Sequence, residues 1–263
     1  MRTAPWWQGW RDGPAAGRGA RMRRPEPASH RVRGSRDSAV LATDAGFDRE
    51  QPVQHTRIDP AILYFGTPVV LLSTIDADGV TNTAPMSSVF WLGHTAVLGM
   101  GGRSQTAKNL LSTGECVINL PSARLVSAVD ALALTTGRDP VPDGKERVGY
   151  RHVPDKLTAA GLHGRPGETV SAERIDECPV NLEARVVNAH TLTGEESGDG
   201  ATFLFEAAVS RVHVHEDIRA AGTTNRIDPD RWRPLIMAFQ RFYGLTDELR
   251  PSKLATIDEE WYR

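Results

Sequence analysis

The segment GMGGRSQTAKN, residues 99–109, combines residue types that could bind an anion. Glycines end an apolar run, and a helix is predicted to begin directly after them with Ser104 as its N-cap. The first turn of a helix offers free backbone N–H groups and the positive end of the helix dipole. Arg103 and Lys108 add positive charge, and Thr106 adds a hydroxyl group. The segment therefore suits a phosphate monoester; the alternative interpretation is an ordinary capped helix with solvated cations.

The same glycines imitate a dinucleotide-binding fingerprint in the run GMGGRS, residues 99–104. That fingerprint needs a glycine or alanine at its last position and a parallel strand–helix–strand unit around it. Here the last position is Ser104, and the neighbouring strands are predicted to form hairpins. The sequence therefore argues against a Rossmann-type dinucleotide site.

A second group of candidate binding residues lies in NTAPMSSVFW, residues 82–91. Small hydrogen-bonding side chains stand there beside Pro85, Phe90 and Trp91. A flavin ring needs this mixture, because its flat faces require apolar walls and its pyrimidine edge requires hydrogen-bond partners. The alternative is a half-exposed strand whose polar residues face water.

The histidines give weaker signals. His213 and His215 share one face of a predicted strand, but no further ligands stand near them in sequence, so we expect a surface pair and no metal site. His94, His152 and His163 fall in predicted turns or loops, where one of them could contact a nicotinamide ring or only water. The sequence contains no Gly-x-Ser-x-Gly elbow, His-Glu-x-x-His motif or Walker loop, and we assign no catalytic side chain from it.

The elements that must position these residues are mainly strands. Asp78-Gly79 predicts a hairpin, and Pro85 predicts an edge strand or a bulge. Strands are predicted at residues 68–75, 80–84, 86–91, 95–100, 115–120, 179–187 and 202–215, and helices at 105–113 and 125–134. Many antiparallel strands with two inserted helices predict a closed or split barrel.

Two of the later strands show further detail. Glu183 and Arg185 fall on the face opposite to the apolar side chains of their strand. In the strand at 202–215 the apolar phase shifts by one residue, which predicts a β-bulge near Ser210-Arg211.

Apolar residues at helix spacing occur in two segments. In the helix at 105–113, which Gly114 is predicted to end, the buried stripe is expected to consist of Ala107, Leu110 and Leu111. The run PLIMAFQRFYG at 234–244 has the same spacing at Leu235, Ile236, Phe239 and Phe242. This spacing predicts a C-terminal helical segment within residues 226–263 that packs on the barrel or on a dimer partner.

Composition is that of a soluble globular protein: 263 residues, 40% hydrophobic, 24% charged, net charge −2. Residues 1–36 contain nine Arg and two acidic residues, and they lack an apolar period. We therefore predict that residues 1–50 form a disordered basic extension, and we expect neither a nucleic-acid nor a membrane partner. Cys116 and Cys178 stand far apart, which indicates reduced, buried thiols in a cytoplasmic protein.

Taken together, these segments resemble the flavin reductase-like, FMN-binding split-barrel family. The resemblance rests on five stretches and on their order: PVVLLSTIDADGVTNTAPMSSVF (68–90), RSQTAKNL (103–110), ECVINLPS (115–122), ERIDECPVNLEARVV (173–187) and VHVHEDI (212–218). It extends from about residue 58 to about residue 245.

The resemblance implies a mainly β fold with inserted helices, an antiparallel split β-barrel of Greek-key type at residues 55–225. It implies a homodimer with one FMN per subunit, whose phosphate rests on residues 103–109 and whose ring lies against residues 83–90. The implied cofactor-binding residues are Thr83, Ala84, Pro85, Met86, Ser87, Ser88, Gly101, Arg103, Ser104, Thr106, Lys108 and Asn109.

The function implied is an NAD(P)H-dependent flavin oxidoreductase that supplies reduced flavin to a partner monooxygenase. NADH or NADPH would bind transiently on the open face of the flavin, and the polar loops at 137–152 and 161–174 could form a mobile cover there. Two alternatives remain: a tight FMN-binding electron carrier that does not accept NAD(P)H, and a non-enzymatic binding module. No residue of the sequence could be matched to a nicotinamide contact.

Overall fold

An antiparallel sheet of seven strands dominates the computed structural model, which describes residues 54–192 and 200–262. The strands are β1 (Phe65–Pro68), β2 (Val70–Ile75), β3 (Thr81–Met86), β4 (Val89–Leu92), β5 (Thr95–Gly101), β6 (Glu115–Leu120), β7 (Thr135–Thr136), β8 (Arg151–His152), β9 (Gly164–Arg165), β10 (Arg174–Ile175), β11 (Val180–Thr191), β12 (Thr202–Val214), β13 (Ile236–Ala238) and β14 (Arg241–Tyr243). The helices are α1 (Gln105–Thr113), α2 (Val126–Leu132), α3 (Asp143–Glu146) and α4 (Lys156–Ala159), and 3₁₀ turns lie at Ala123–Leu125, Glu216–Ile218, Lys253–Thr256 and Glu259–Tyr262. The predicted basic extension, residues 1–50, lies outside the described residues.

The seven strands follow the order β3-β2-β6-β11-β12-β5-β4, and all of their pairings are antiparallel. Three of the pairings, β2 with β6, β6 with β11 and β5 with β12, join strands that are distant in sequence. These crossovers make the mainly β fold that the sequence predicts, and they place β3 and β4 at the two edges of the sheet.

The first hairpin forms as predicted. Asp76 Oδ1 accepts hydrogen bonds from the backbone N–H groups of Asp78 and Val80, and Gly79 has a φ of 83°. A side chain at that φ would be strained, so glycine fits this turn. Pro85 lies opposite Leu71 in the edge strand β3, where its missing N–H costs no ladder hydrogen bond on the outer side.

The long strands β11 and β12 contain the predicted bulge. Glu183 pairs with Arg211 and the next residue, Ala184, pairs with Val209, so Ser210 is the extra residue. This insertion explains why the apolar phase of β12 shifts at that point.

Strand β2 is buried on both faces, which explains its unbroken apolar run. Val70 and Leu72 belong to a core cluster inside the curved sheet, which α1 closes through Ala107 and Leu110. Val69 and Leu71 face the other way, into a second cluster. That second cluster is covered by α2, α4 and the segment at 235–242, and it includes Val129, Leu132, Leu157 and Leu235.

Helix α1 begins and ends where the sequence predicts. Ser104 Oγ accepts from the N–H of Ala107, and Gly114 ends the helix with a φ of 69°. The predicted buried stripe is partly wrong, because Leu111 is 53% exposed while Thr106 and Asn109 are buried.

Every helix in the described part of the chain is too short or too polar to span a bilayer.

The predicted C-terminal helical segment at 226–263 is wrong for residues 236–243. Residues 236–243 form the hairpin of β13 and β14, and β13 pairs with β1. Phe239 and Gln240 occupy its turn with φ values of 46° and 63°, a conformation that normally requires Asn-Gly or Gly. The sequence has no Asn or Gly at this turn to signal a hairpin, and the apolar residues Leu235, Ile236, Phe239 and Phe242 fit the spacing of a helix. Only short 3₁₀ turns are helical in this described part of the chain.

Candidate functional site

A cleft lies where the edge strand β3, the start of α1 and the segments after α2 and around α3 meet. Its volume is about 140 Å³, and an adjoining cavity of about 190 Å³ shares Pro85, Met86 and Ala133 with it. Together the two reach the lower end of the usual size of ligand pockets, about 300–1,000 Å³. The cleft is lined by Ala84, Pro85, Met86, Met100, Ser104, Thr106, Ala133, Thr135, Lys145 and Tyr150.

Strand β3 gives the cleft backbone hydrogen-bonding groups. An edge strand leaves alternate N–H and C=O groups without a partner in the sheet. On this strand Ala84 and Met86 line the cleft together with Pro85, which has no N–H of its own. The arrangement offers apolar side chains beside backbone donors and acceptors, as a flat heteroaromatic ring with a polar edge requires.

The start of α1 gives the cleft a place for negative charge. Ser104 Oγ accepts a hydrogen bond from the N–H of Ala107. The N–H groups of Gln105 and Thr106 precede the first intrahelical hydrogen bond and so have no partner within the helix. No acidic residue stands in the first turn. An anion at this point would therefore meet donors without competition from a carboxylate of the same turn.

Side-chain hydrogen bonds hold α1 against the sheet behind the cleft. Asn82 Nδ2 donates to Thr106 Oγ1 at 3.1 Å, and Asn109 Nδ2 donates to Thr74 Oγ1 at 3.1 Å. Asn109 Oδ1 in turn accepts from Gln105 Nε2 at 2.7 Å. These buried contacts fix the height and rotation of α1 relative to β2 and β3. Asn109 therefore positions the helix from its buried side.

The structure brings some of the predicted cofactor-binding residues together and separates others. Ala84, Pro85, Met86, Ser104 and Thr106 line the cleft, and Ser87 lines the adjoining cavity. The others lie elsewhere: Thr83 is buried beside Ser73, Ser88 contacts the Tyr64 hydroxyl, Asn109 faces Thr74, and Gly101, Arg103 and Lys108 are exposed near the start of α1.

Sequence reasoning missed four residues of the opposite wall: Ala133, Thr135, Lys145 and Tyr150. Lys145 and Tyr150 come from the loop at 137–152, which the sequence suggested as a cover, and Thr135 precedes that loop. No spacing rule points to these residues, because their position depends on how the loop packs. The Lys145 ammonium lies 5.1 Å from the centre of the Tyr150 ring, a cation–π contact that orients it.

The wall that carries Lys145 is positively charged and poorly hydrated. Burial and the nearby charge of Arg138 lower the pKa of Lys145. Lys156, on α4, is only 5% exposed, and burial and the charge of Lys145 lower its pKa to about 8. A negatively charged ligand would relieve both effects.

The candidate histidines lie apart from the cleft lining. His213 Nε2 lies 2.8 Å from Glu183 Oε1, and His215 Nε2 lies 2.9 Å from the carbonyl oxygen of Asp176. His152 contacts the Arg138 carbonyl, and His163 contacts Glu177. Within residues 54–192 and 200–262, no three His, Cys, Asp or Glu side chains form a group that could hold a metal.

Comparison with known proteins agrees with this fold. The family described as "Flavin reductase like domain" matches residues 62–246, past residue 225, where the sequence predicted the barrel to end. The uncharacterized protein YdfE of Bacillus subtilis is 37% identical over 192 residues, which is 73% of this chain and 90% of that protein.

Two solved structures share the fold at low identity. Flavoredoxin of Desulfovibrio vulgaris (Miyazaki F) is 19% identical with a TM-score of 0.62, and the match covers 77% of this chain and 100% of that one. Nitrilotriacetate monooxygenase component B from Bacillus cereus is 20% identical with a TM-score of 0.59, covering 76% and 100%. The described part of the chain is therefore a split barrel.

Proposed function

Because the chain belongs to the flavin reductase-like family, we propose that it binds FMN in the cleft and transfers electrons to it from NADH or NADPH. The observation that carries this proposal is the meeting of the edge strand β3 with the start of α1 in one cleft. Bound FMN would supply the redox chemistry, since a flavin accepts a hydride without help from a catalytic side chain. The chain itself would bind the flavin, orient it and shield it from water.

The residues present fit FMN better than FAD. The first turn of α1 can hold one terminal phosphate, with Ser104 and Thr106 in the cleft and the charges of Arg103 and Lys108 nearby. The adenylate of FAD would have to extend from this point into solvent. Apolar side chains on the other side, among them Met86, would pack against the ring and exclude water.

A second copy of the chain is the proposed partner in a homodimer. Phe65 and Phe239, which are 72% and 46% exposed, meet edge to face with ring centres 4.9 Å apart. Their small sheet also contributes Met237 and Phe242 to the cavity beside the cleft. Exposed aromatic clusters of this kind mark interaction surfaces. We expect Phe65→Ser to shift the protein from dimer to monomer in size-exclusion chromatography with light scattering, and Leu249→Ser, an exposed leucine elsewhere, to leave the dimer intact.

The binding experiment compares three ligands by calorimetric titration: FMN, FAD and riboflavin. A charge-assisted hydrogen bond contributes roughly 1.5–3 kcal/mol. We therefore expect Arg103→Ala to weaken FMN about tenfold or more and to change riboflavin, which lacks the phosphate, much less. Arg250→Ala removes an exposed arginine elsewhere and serves as the matched control. Equal losses for FMN and riboflavin would remove Arg103 from phosphate binding, and tighter binding of FAD would contradict the FMN proposal.

The turnover experiment mixes the FMN-loaded protein with NADH or NADPH under anaerobic conditions in a stopped-flow instrument. Loss of the flavin absorbance band with either nucleotide supports the reductase, which would pass reduced flavin to a partner monooxygenase. If the flavin stays oxidised with both nucleotides, the protein is instead an electron carrier that exchanges electrons with another protein.

A further inference from the structure

Lys145 and Lys156 have no ion-pair partner among the described residues. Lys145 lines the cleft directly, whereas Lys156, on α4, is 5% exposed and lines a separate cavity together with Thr83, Leu162 and Glu173. Arg138 adds a third cation close enough to act on Lys145. The carboxylate next to Lys156 in sequence, that of Asp155, accepts a hydrogen bond from the N–H of Thr158 as the N-cap of α4.

This arrangement is costly in the protein alone. Buried charges are normally paired, because leaving water without a partner carries a large desolvation penalty. Burial lowers the pKa of both lysines, and a nearby charge adds to the effect, that of Arg138 at Lys145 and that of Lys145 at Lys156. A wall of this kind is suited to a ligand that brings a negative charge of its own.

The charge that the proposed reaction creates meets this requirement. The phosphate of FMN would find its donors at the start of α1. Hydride transfer from NAD(P)H brings two electrons and one proton to the flavin and leaves NAD(P)⁺. The balance therefore adds one negative charge to the ring system, which would rest between β3 and the wall of Lys145.

We propose that Lys145, supported by Lys156, is the counter-charge for reduced flavin, so that the cleft binds reduced FMN more tightly than oxidised FMN. This inference rests on the proposed FMN site, and the cleft would hold reduced FMN until a partner monooxygenase takes it up. Lys145 faces the cleft, held above the Tyr150 ring, while Lys156 acts through Lys145 as a positioning residue.

The test measures the reduction potential of bound FMN together with the dissociation constant of oxidised FMN. Tenfold tighter binding of the reduced form raises the potential of a two-electron couple by about 30 mV. We expect the FMN-loaded protein to lie at least that far above free FMN. Lys145→Gln should lower the potential by about 30 mV and change oxidised FMN binding less than threefold. Lys145→Arg should keep most of the effect.

Lys156→Met and Lys253→Gln complete the series. Lys156→Met should shift the potential in the same direction by a smaller amount, and Lys253→Gln, at an exposed lysine outside the cleft wall, should leave it unchanged. Equal weakening of both redox forms by Lys145→Gln would overturn the inference and place Lys145 on the phosphate or in packing. Failure of the wild-type protein to bind FMN would instead contradict the proposed function itself.

Discussion

Two buried charges, Glu183 on β11 and Lys156 on α4, have opposite surroundings. Glu183 is 0% exposed and accepts hydrogen bonds from the Thr169 N–H and hydroxyl, both at 2.6 Å, and from the Glu168 N–H at 2.9 Å. His213 Nε2 lies 2.8 Å from the same carboxylate. Lys156 is nearly as buried, yet no hydrogen bond or ion pair reaches its ammonium from the described residues.

The pKa values of the two groups follow from these surroundings. Burial alone would raise the pKa of Glu183, but the hydrogen bonds from Thr169, Glu168 and His213 outweigh it and lower the pKa to about 2. Nothing offsets the burial of Lys156, so its pKa falls to about 8. The hydrogen bonds to the buried Glu183 carboxylate hold the loop around Thr169 against the sheet. The buried Lys156 ammonium has no such partners, so a negatively charged ligand nearby would stabilise it.

The largest effect is expected from Glu183→Gln. The carboxylate accepts from two neighbouring backbone N–H groups with its two oxygens, whereas an amide has one oxygen and turns its NH₂ group toward the other donor. Breaking a buried, hydrogen-bonded charge costs about 3–5 kcal/mol. We expect urea unfolding to show a loss of about 3 kcal/mol.

The control for this variant is Glu206→Gln. Glu206 also contacts a histidine, His190, but both side chains are about half exposed, at 40% and 47%. Exposed pairs of this kind contribute about 0–1 kcal/mol. A similar loss in both variants would show that neither the burial of Glu183 nor its additional hydrogen bonds account for its contribution to stability.

Acid provides a second test of the same carboxylate. Its pKa is about 2 in the folded protein and near 4.5 when unfolded, so the folded state binds the proton less readily. The stabilisation is therefore fully present above about pH 4.5 and is lost as the pH falls toward 2, by about 3 kcal/mol in total. The difference in stability between wild type and Glu183→Gln should shrink over this range. A constant difference from pH 7 to pH 2 would contradict the assignment.

Lys156→Met is expected to raise the stability of the protein, whereas Glu183→Gln lowers it. A lowered lysine pKa means that the charged form destabilises the fold, fully below about pH 8, with relief as the pH rises toward 10.5. Methionine keeps most of the apolar chain and removes the charge. We expect the flavin-free variant to be more stable than wild type at pH 7 by about 1–3 kcal/mol. The gain should vanish above about pH 10.5, and a loss of stability at pH 7 would show that Lys156 has a partner.

The sequence predicts the fold around these two charges unevenly. The hairpin at Asp78-Gly79, the caps of α1 and the bulge at Ser210 depend on residues close together in the chain, and all three were predictable. The hairpin of β13 and β14 was not, because Phe239 and Gln240 adopt a turn that residues of these types rarely form.

The candidate site shows the same limit. Ala84–Met86 and Ser104 were each predictable as candidate binding residues, since a hairpin and a helix cap position them, and the family resemblance implies that they share one ligand. Lys145 reaches the cleft only through the packing of a loop, for which no local pattern exists. Glu183 was predicted to lie on the face of its strand opposite to the apolar side chains, and the residues around Thr169 fold over that face and bury it. Sequence alternation describes two faces of a strand but not which loop covers them.

The smallest effect is expected where one donor of the Glu183 set is removed and the others remain. Thr169→Val deletes the hydroxyl that donates to Glu183 Oε2 at 2.6 Å, while the Thr169 backbone N–H stays in place. Because the carboxylate keeps three of its four close partners, the loss should be that of one hydrogen bond to a charged group, about 1.5 kcal/mol. The same hydroxyl contacts Ser210 Oγ, so Ser210→Ala separates the two contacts. Urea unfolding of Thr169→Val in the Glu183→Gln background should then show less than half of that loss, since the charge is gone. If the two losses simply add, the hydroxyl acts through Ser210 and the bulge, and the carboxylate owes its low pKa to its backbone donors and His213.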